Sequence, residues 1–214
     1  MSDSLPLLMF AKAPIAGKVK TRLMSHCSAE QAAEVAKILL EASIQRACES
    51  WPGKVYLSTW LDIDHVFFAE MQQRYPIRIT QQCEGDLGQK MNHALDSFGY
   101  PAAVMGCDAP HTLGSTLQSA YQFLRAGKSV IGPSEDGGYY LLGLCHEADA
   151  LFVDKPWGED RVLEKTLVSA DSIGLDLTKL PELNDVDEWQ DLVNAAKEVS
   201  SLQAYLQAQN LISE

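Results

Sequence analysis

The stretch LLMFAKAPIAGKVKTRL, residues 7–23, decides how this chain is read. Leu7 to Phe10 is a short, unbroken apolar run, the pattern of a strand buried on both faces rather than on one. The run gives way to a loop punctuated by Pro14 and Gly17. A helix is then expected from Ser28, where Ser28 and Gln31 match a capping box, through AEQAAEVAKILLEASIQRACES. A buried strand, a loop and an amphipathic helix form the opening unit of a parallel α/β sheet.

The same alternation continues outward. KVYLSTW (54–60) reads as a strand, DHVFFAEMQQRY (64–75) as a helix and Ile77 to Thr80 as a short strand. QKMNHALDSF (89–98) reads as a helix, AAVMG (102–106) as a buried strand and TLQSAYQFLRAG as the helix after it. SVIG (129–132) is a strand, and GPSEDGGYYLLGL (132–144) holds a tight turn before a β-prone run. DRVLEKTLVSAD (160–171) is expected to be a helix, and VDEWQDLVNAAKEVSSLQAYLQAQ closes the chain with one or two more. The expected class is α/β, with a mainly parallel sheet covered on both faces. The 214 residues suffice for one core and not comfortably for two, so a single domain over 1–214 is expected.

Composition narrows the function. The net charge of −12 disfavours broad attraction to a nucleic acid polymer or an anionic lipid surface. No stretch approaches the roughly 20 apolar residues of a membrane span, and the start has no signal-peptide pattern, so the expected address is the cytoplasm. Five scattered cysteines form no C-x-x-C and fit reduced thiols. Against this acidic background, Ser4 to Ala29 contains no acidic residue but holds Lys12, Lys18, Lys20 and Arg22. That contrast points to a small anionic ligand, a solvated basic loop being the plainer alternative.

In an open parallel sheet, ligands sit beyond the carboxyl ends of the strands. Lys12 to Arg22, Gly85-Asp86, Gly106-Cys107-Asp108, Glu135 to Gly138 and Asn184 to Asp187 are all expected at that edge. The loop is not a Walker A sequence, because Lys12 and Val19 stand at positions that sequence reserves for other residues, and no G-x-G-x-x-G occurs. Gly17, with Ala16 before it, would still let backbone N–H groups approach phosphate oxygens. The lysines supply point charges and Arg22 a two-pronged grip.

Asp108 can hold a magnesium or manganese ion against phosphates, or simply cap the helix after Pro110. Asp187 matches an N-cap pattern with Gln190, which leaves Asp185 as the better ligand candidate of that pair. Asp136-Gly137-Gly138 reads as a turn, or as room for a sugar or acceptor with Asp136 as hydroxyl partner or base. Asp86 reads either as a contact to base or ribose or as part of a bare loop. Trp157 is an acceptor-side platform or a packed side chain.

FAKAPIAGKVKTRL (10–23), GDLGQKM (85–91), MGCDAP (105–110), GPSEDGGYYLLGL (132–144) and LPELNDVDEWQDL (180–192) occur in an order that resembles the nucleotide-diphospho-sugar transferase superfamily, the glycosyltransferase A fold. Within it the chain resembles the glycosyltransferase-like family DUF2064. The resemblance implies a three-layer α/β/α sandwich whose N-terminal loop (Lys12, Ala16, Gly17, Lys18, Lys20, Arg22) takes nucleotide phosphates, with Lys20 also serving the reaction. It implies a Mg²⁺ or Mn²⁺ site in which Asp108 stands for a shortened D-x-D motif, position 106 being Gly, with Asp185 and Asp187 as further ligands. Asp185-Val186-Asp187 also looks like the D-x-D-T-x-x-D ending of cofactor nucleotidyltransferases, with Glu188 where that pattern has Thr. Three functions stay open: transfer from a nucleotide-sugar donor, nucleotidyl transfer from a triphosphate with release of pyrophosphate, and nucleotide binding without catalysis. Four cations in one loop suit a triphosphate, while the family resemblance suits the sugar nucleotide.

Overall fold

The computed structural model describes residues 5–60, 62–107 and 114–212. Among these residues, seven strands form one sheet in the order β3-β2-β1-β4-β6-β5-β7. They are β1 (Leu7–Lys12), β2 (Val55–Trp60), β3 (Ile77–Gln81), β4 (Ala102–Gly106), β5 (Ser129–Pro133), β6 (Tyr139–Leu144) and β7 (Leu177–Lys179). Strand β1 pairs in parallel with both β2 and β4. Among the described residues, seven α-helices accompany them: α1 (Ala29–Ser50), α2 (Val66–Arg74), α3 (Leu87–Phe98), α4 (Gly114–Arg125), α5 (Val162–Ser172), α6 (Trp189–Ala196) and α7 (Ser200–Ala208).

Alternating side chains of the central strands serve the two faces, as the period of a strand requires. Leu7, Met9 and Ala11 of β1 and Ala103 and Met105 of β4 join the layer with Ile44 of α1, Phe68 of α2 and Leu117 of α4. Leu8, Ala102 and Val104 join the opposite layer with Met91 and Leu95 of α3 and Ala170 of α5. A third cluster ties Val35 and Leu39 of α1 to Leu192 of α6 and Leu202 and Leu206 of α7. Each fully buried leucine contributes roughly 1.5–3 kcal/mol relative to exposure. The expected α/β/α sandwich is therefore present.

The start of α1 matches its sequence signal closely. Ser28 Oγ accepts from Gln31 N (3.2 Å), and Gln31 Oε1 accepts from Ser28 N (2.9 Å), completing the box. The sheet is mainly parallel, as expected, and two of its features go beyond that expectation. Strand β6 is antiparallel to both β4 and β5, because the turn at 134–138 returns the chain directly beside β5 with no crossover helix. Strand β7, three residues long, is parallel to β5 and too short to show a period in the sequence.

The chain leaves β1 toward β2 and β3, then crosses back to place β4 on the other side of β1. The carboxyl ends of β1 and β4 thus flank the point where strand order reverses, the place where open α/β sheets bind ligands. Beyond β7 the chain follows β5 along this edge: Leu180 N donates to Ile131 O (2.8 Å), and Leu183 N to Pro133 O (3.1 Å). Tyr140 lies across Gly132, where a Cβ would come within 2.4 Å of its ring, and its hydroxyl donates to Pro181 O (2.9 Å). Burial pushes the Tyr140 phenol up to about 12, so it remains a donor at neutral pH. The C-terminal segment is carried in this way from the β5 end of the edge toward β1.

Candidate nucleotide-binding cleft

A cleft of about 650 Å³ opens at the reversal point. Lys12, Lys18, Lys20 and Arg22 line it, together with Trp60, Gln82, Lys90, Gly106 and Asp187. Four of the six residues expected to take phosphate therefore share one cavity. Ala16 and Gly17 are exposed in the same loop but outside the cavity lining. Gly17 has φ +75°, a conformation that favours glycine, and the space where a Cβ would sit is open.

Local bonds and a distant segment together shape the loop. Lys18 N donates to Ile15 O (2.9 Å), closing a turn around Ala16-Gly17. Lys20 is left-handed at φ 46°, an unusual conformation for a side chain that is not glycine. Its side chain is only 8% exposed, and Nζ donates to Val186 O (2.8 Å) and lies 3.5 Å from Asp187 Oδ1. Arg22 NH1 reaches Asp187 Oδ2 at 3.0 Å, and the His26 ring stacks on Trp189 at 4.8 Å. The basic loop is thus tied to residues 186–189 at three points, more than 160 positions away in sequence.

These ties change one assignment and locate a second residue. Asp187 does not cap the closing helix: Glu188 holds the N-cap position of α6, and Asp191 Oδ2 accepts from the N–H groups of Glu188 (2.8 Å) and Asp187 (3.3 Å). The Asp187 carboxylate is drawn instead to Lys20 and Arg22, each of which meets one of its oxygens. Asp185, half-buried in the same segment, lies between the turn at 134–138 and the basic loop, because Glu135 N is bonded to Leu183 O (3.1 Å) on one side and Lys20 to Val186 O on the other. Asp108 lies outside the described residues. Among the described residues, no three His, Cys, Asp or Glu side chains group as a metal site.

The other predicted positions have visible local roles. Asp86 caps α3, accepting from Gln89 N (2.8 Å) while Gln89 Oε1 accepts from Asp86 N (2.9 Å), and it does not line the cleft. Asp136 is exposed, and its Oδ1 accepts from Gly138 N (2.9 Å) within the turn. Gly137, at φ +86°, faces the Asp160 carbonyl, which a Cβ would meet at 1.9 Å. The missing side chain there makes room for the approach to α5, sealed by Leu163 N donating to Gly137 O (2.8 Å). Trp157 packs over Gly88, whose Cβ would come within 2.5 Å of the indole. Its N–H is buried without a partner among the described residues.

Lys90 and Trp60 line the cleft and were not singled out from the sequence. Trp60 ends β2 opposite Lys12 in register, so the edge argument applied to that strand would have found it. Lys90 projects from the first turns of α3 with Nζ 3.2 Å from the centre of the Trp60 ring. Burial lowers its pKa, with the Lys12 charge acting in the same direction and Glu84 and Cys83 opposing.

Solved structures carry the same fold. A candidate nucleotide-diphospho-sugar transferase from Desulfovibrio desulfuricans G20 superposes with a TM-score of 0.84 at 29% identity, covering 98% of this chain and 96% of the other. Rv0371c from Mycobacterium tuberculosis H37Rv, in a complex with manganese, matches at 0.51 and 14% identity over 92% and 100%. 4-Diphosphocytidyl-2C-methyl-D-erythritolsynthase from Anaerococcus prevotii DSM 20548 matches at 0.55 and 11% identity over 95% and 96%. At these lower identities the last two bear on the fold alone. No curated protein sequence matches the chain, and no helix among the described residues is long and apolar enough to cross a membrane. The family model matches residues 43–159, more than half of the chain, from within α1 to the approach to α5, and by that match the chain belongs to DUF2064, a family described as uncharacterized proteins conserved in bacteria.

Proposed function

We propose that this chain is a transferase that binds the phosphates of a nucleotide-sugar donor in the cleft between β1 and β4. The observation that carries the reading is the grouping of Lys12, Lys18, Lys20, Arg22 and Lys90 around one cavity of a protein whose net charge is −12. Such a cavity concentrates anions and offsets the charge that develops on a departing phosphate. Lys12 and Lys18 are exposed cations able to approach a ligand from the cleft wall, and the exposed Arg22 is held beside them by Asp187. Lys20 serves mainly as a positioning residue, holding the loop against Val186 and Asp187.

The donor set fits a divalent ion in part. Asp185, with Asp108, is the proposed carboxylate pair, and Asp187, which Lys20 and Arg22 hold in the same segment, is the third candidate. Magnesium or manganese bound there would neutralise phosphate charge, and such ions commonly use one or two carboxylates together with the substrate's own phosphates. Asp136, at the same edge of the sheet, is the proposed acceptor-side carboxylate, with Gly137, Gly138 and Trp157 as the other proposed acceptor-side positions. Its Oδ2 makes no hydrogen bond among the described residues.

Nucleotidyl transfer is the second reading, favoured by the fifth cation, Lys90, which suits a triphosphate better than a diphosphate. A thermal-shift screen of nucleoside di- and triphosphates and sugar nucleotides, each with and without Mg²⁺ or Mn²⁺, separates them. Ligand at 100 times its Kd adds about 2.7 kcal/mol of stability. Stabilisation led by a sugar nucleotide with metal supports the first reading, and by a triphosphate with metal the second. Asp108→Asn is expected to abolish the metal-dependent part. Shifts indifferent to metal point to a nucleotide binder without turnover, and the lack of any shift rejects the cleft as a phosphate site.

A further inference from the structure

We infer that Lys90 is a phosphate-binding residue of the cleft, parked on the face of Trp60 until an anionic group of a nucleotide arrives between it and Lys12. The inference rests on the function proposed above and adds a residue from the opposite wall to the N-terminal loop. Three observations carry it.

First, the Lys90 ammonium is half-buried and, among the described residues, makes no ion pair and no hydrogen bond. Its close contact is the Trp60 ring, 3.2 Å below it. A cation over an aromatic face is held more weakly than one bonded to a phosphate oxygen, so a phosphate can draw it away.

Second, the charges are arranged against one another. Lys12 lies opposite Trp60 in the β1–β2 register, and its charge disfavours the protonated form of Lys90 while the Glu84 carboxylate favours it more strongly. Two cations on adjacent elements of one cavity repel each other, and an anion seated between them removes the repulsion. In a chain with 29 acidic residues, a partly buried lysine beside another lysine and unpaired with any described carboxylate is an arrangement that favours an anionic ligand over a neutral one.

Third, the surrounding wall is already fixed. Gln82 Nε2 donates to Ser58 O (2.8 Å) and Gln82 N to Thr59 O (3.0 Å), so the chain after β3 is anchored. Lys90 itself stands on a helix whose capping box is complete. The lysine side chain is the movable part, and its three donors suit phosphate oxygens in any orientation.

The test is calorimetric titration with inorganic pyrophosphate and the common ribonucleoside diphosphates, in the presence of Mg²⁺, on the wild type, Lys90→Met and Lys90→Arg. Lys90→Met should bind about 10–100 times more weakly, the range expected for loss of a hydrogen bond to a charged group. Lys90→Arg should recover most of the affinity, and thermal melts should show both variants folded. Tryptophan emission adds a readout that a merely structural lysine would not move. Saturating probe should change it in the wild type, and the change should be lost in Lys90→Met and in Trp60→Phe. Wild-type affinity in Lys90→Met overturns this inference and leaves the phosphate cleft standing. Failure of every probe to bind the wild type overturns both.

Discussion

Gly17 and Gly137 lie in two loops at the same edge of the sheet, and both are left-handed, at φ +75° and +86°. They do opposite things. Around Gly17 nothing lies within 4 Å of a would-be Cβ, and the loop is held from a distance by Lys20 and Arg22 gripping residues 186–187. Around Gly137 the space is already taken by the Asp160 carbonyl, and the turn is sealed against α5 by backbone. The first loop is open at Gly17 and secured by charge; the second is closed and secured by packing. A glycine in a polar loop is therefore no guide to where a ligand goes until its neighbours are known.

Substitutions at these positions test that contrast. Gly137→Ala should be the most damaging, losing about 3 kcal/mol or more, because an unfavourable φ is combined with a clash against backbone that has no rotamer to escape into. A thermal melt close to wild type would show that the segment around Asp160 yields, and the closed-loop account would fall. Lys20→Met comes next, at about 1–3 kcal/mol, since it removes the donor to Val186 O from a mostly buried position. Its chemical denaturation midpoint should fall without a change in m-value; an unchanged midpoint would mean the loop is not held by this lysine.

Gly17→Ala carries only the conformational cost, about 1 kcal/mol, or roughly 2–4 °C in Tm for a chain of this size. A loss as large as that of Gly137→Ala would contradict the open loop. Asp187→Asn should alter stability least, by under about 1 kcal/mol, because the pair with Arg22 is exposed to solvent. Added salt should shrink the difference from wild type further, and a salt-independent loss would show that the contact is more shielded than its exposure implies.

The legibility of the site divides along similar lines. The basic loop was readable because charge contrast is a property of composition: four cations in a span without acids stand out in a chain of −12. The Ser28–Gln31 capping box was readable because its partners are three residues apart. Asp187 misled because its nearest sequence pattern, a cap with Gln190, lost to Lys20 and Arg22, which are distant in the chain and adjacent in space. Lys90 was missed because a lysine on a helix after a turn looks like a solvated one, and only the packing of α3 beside β2 puts it over Trp60. Trp157, weighed between platform and packed side chain, lies against Gly88, a contact that spans 69 positions of sequence.

By itself the sequence determined the alternation of strands and helices, the two-faced burial of the central strands and the edge where ligands are expected. These follow from local periodicity and from the rule that strand ends in an open sheet face one way. The tertiary structure alone decided the antiparallel return of β6, the pairing of β7 and the route by which residues 180–187 cross the edge to hold the basic loop. It also decided that Asp187 meets Lys20 and Arg22 and that Lys90 joins the cleft from the far side. The reason is physical: a side chain's partners are set by distance in space, and electrostatic and steric contacts favour whichever groups the sheet brings together, regardless of their separation along the chain.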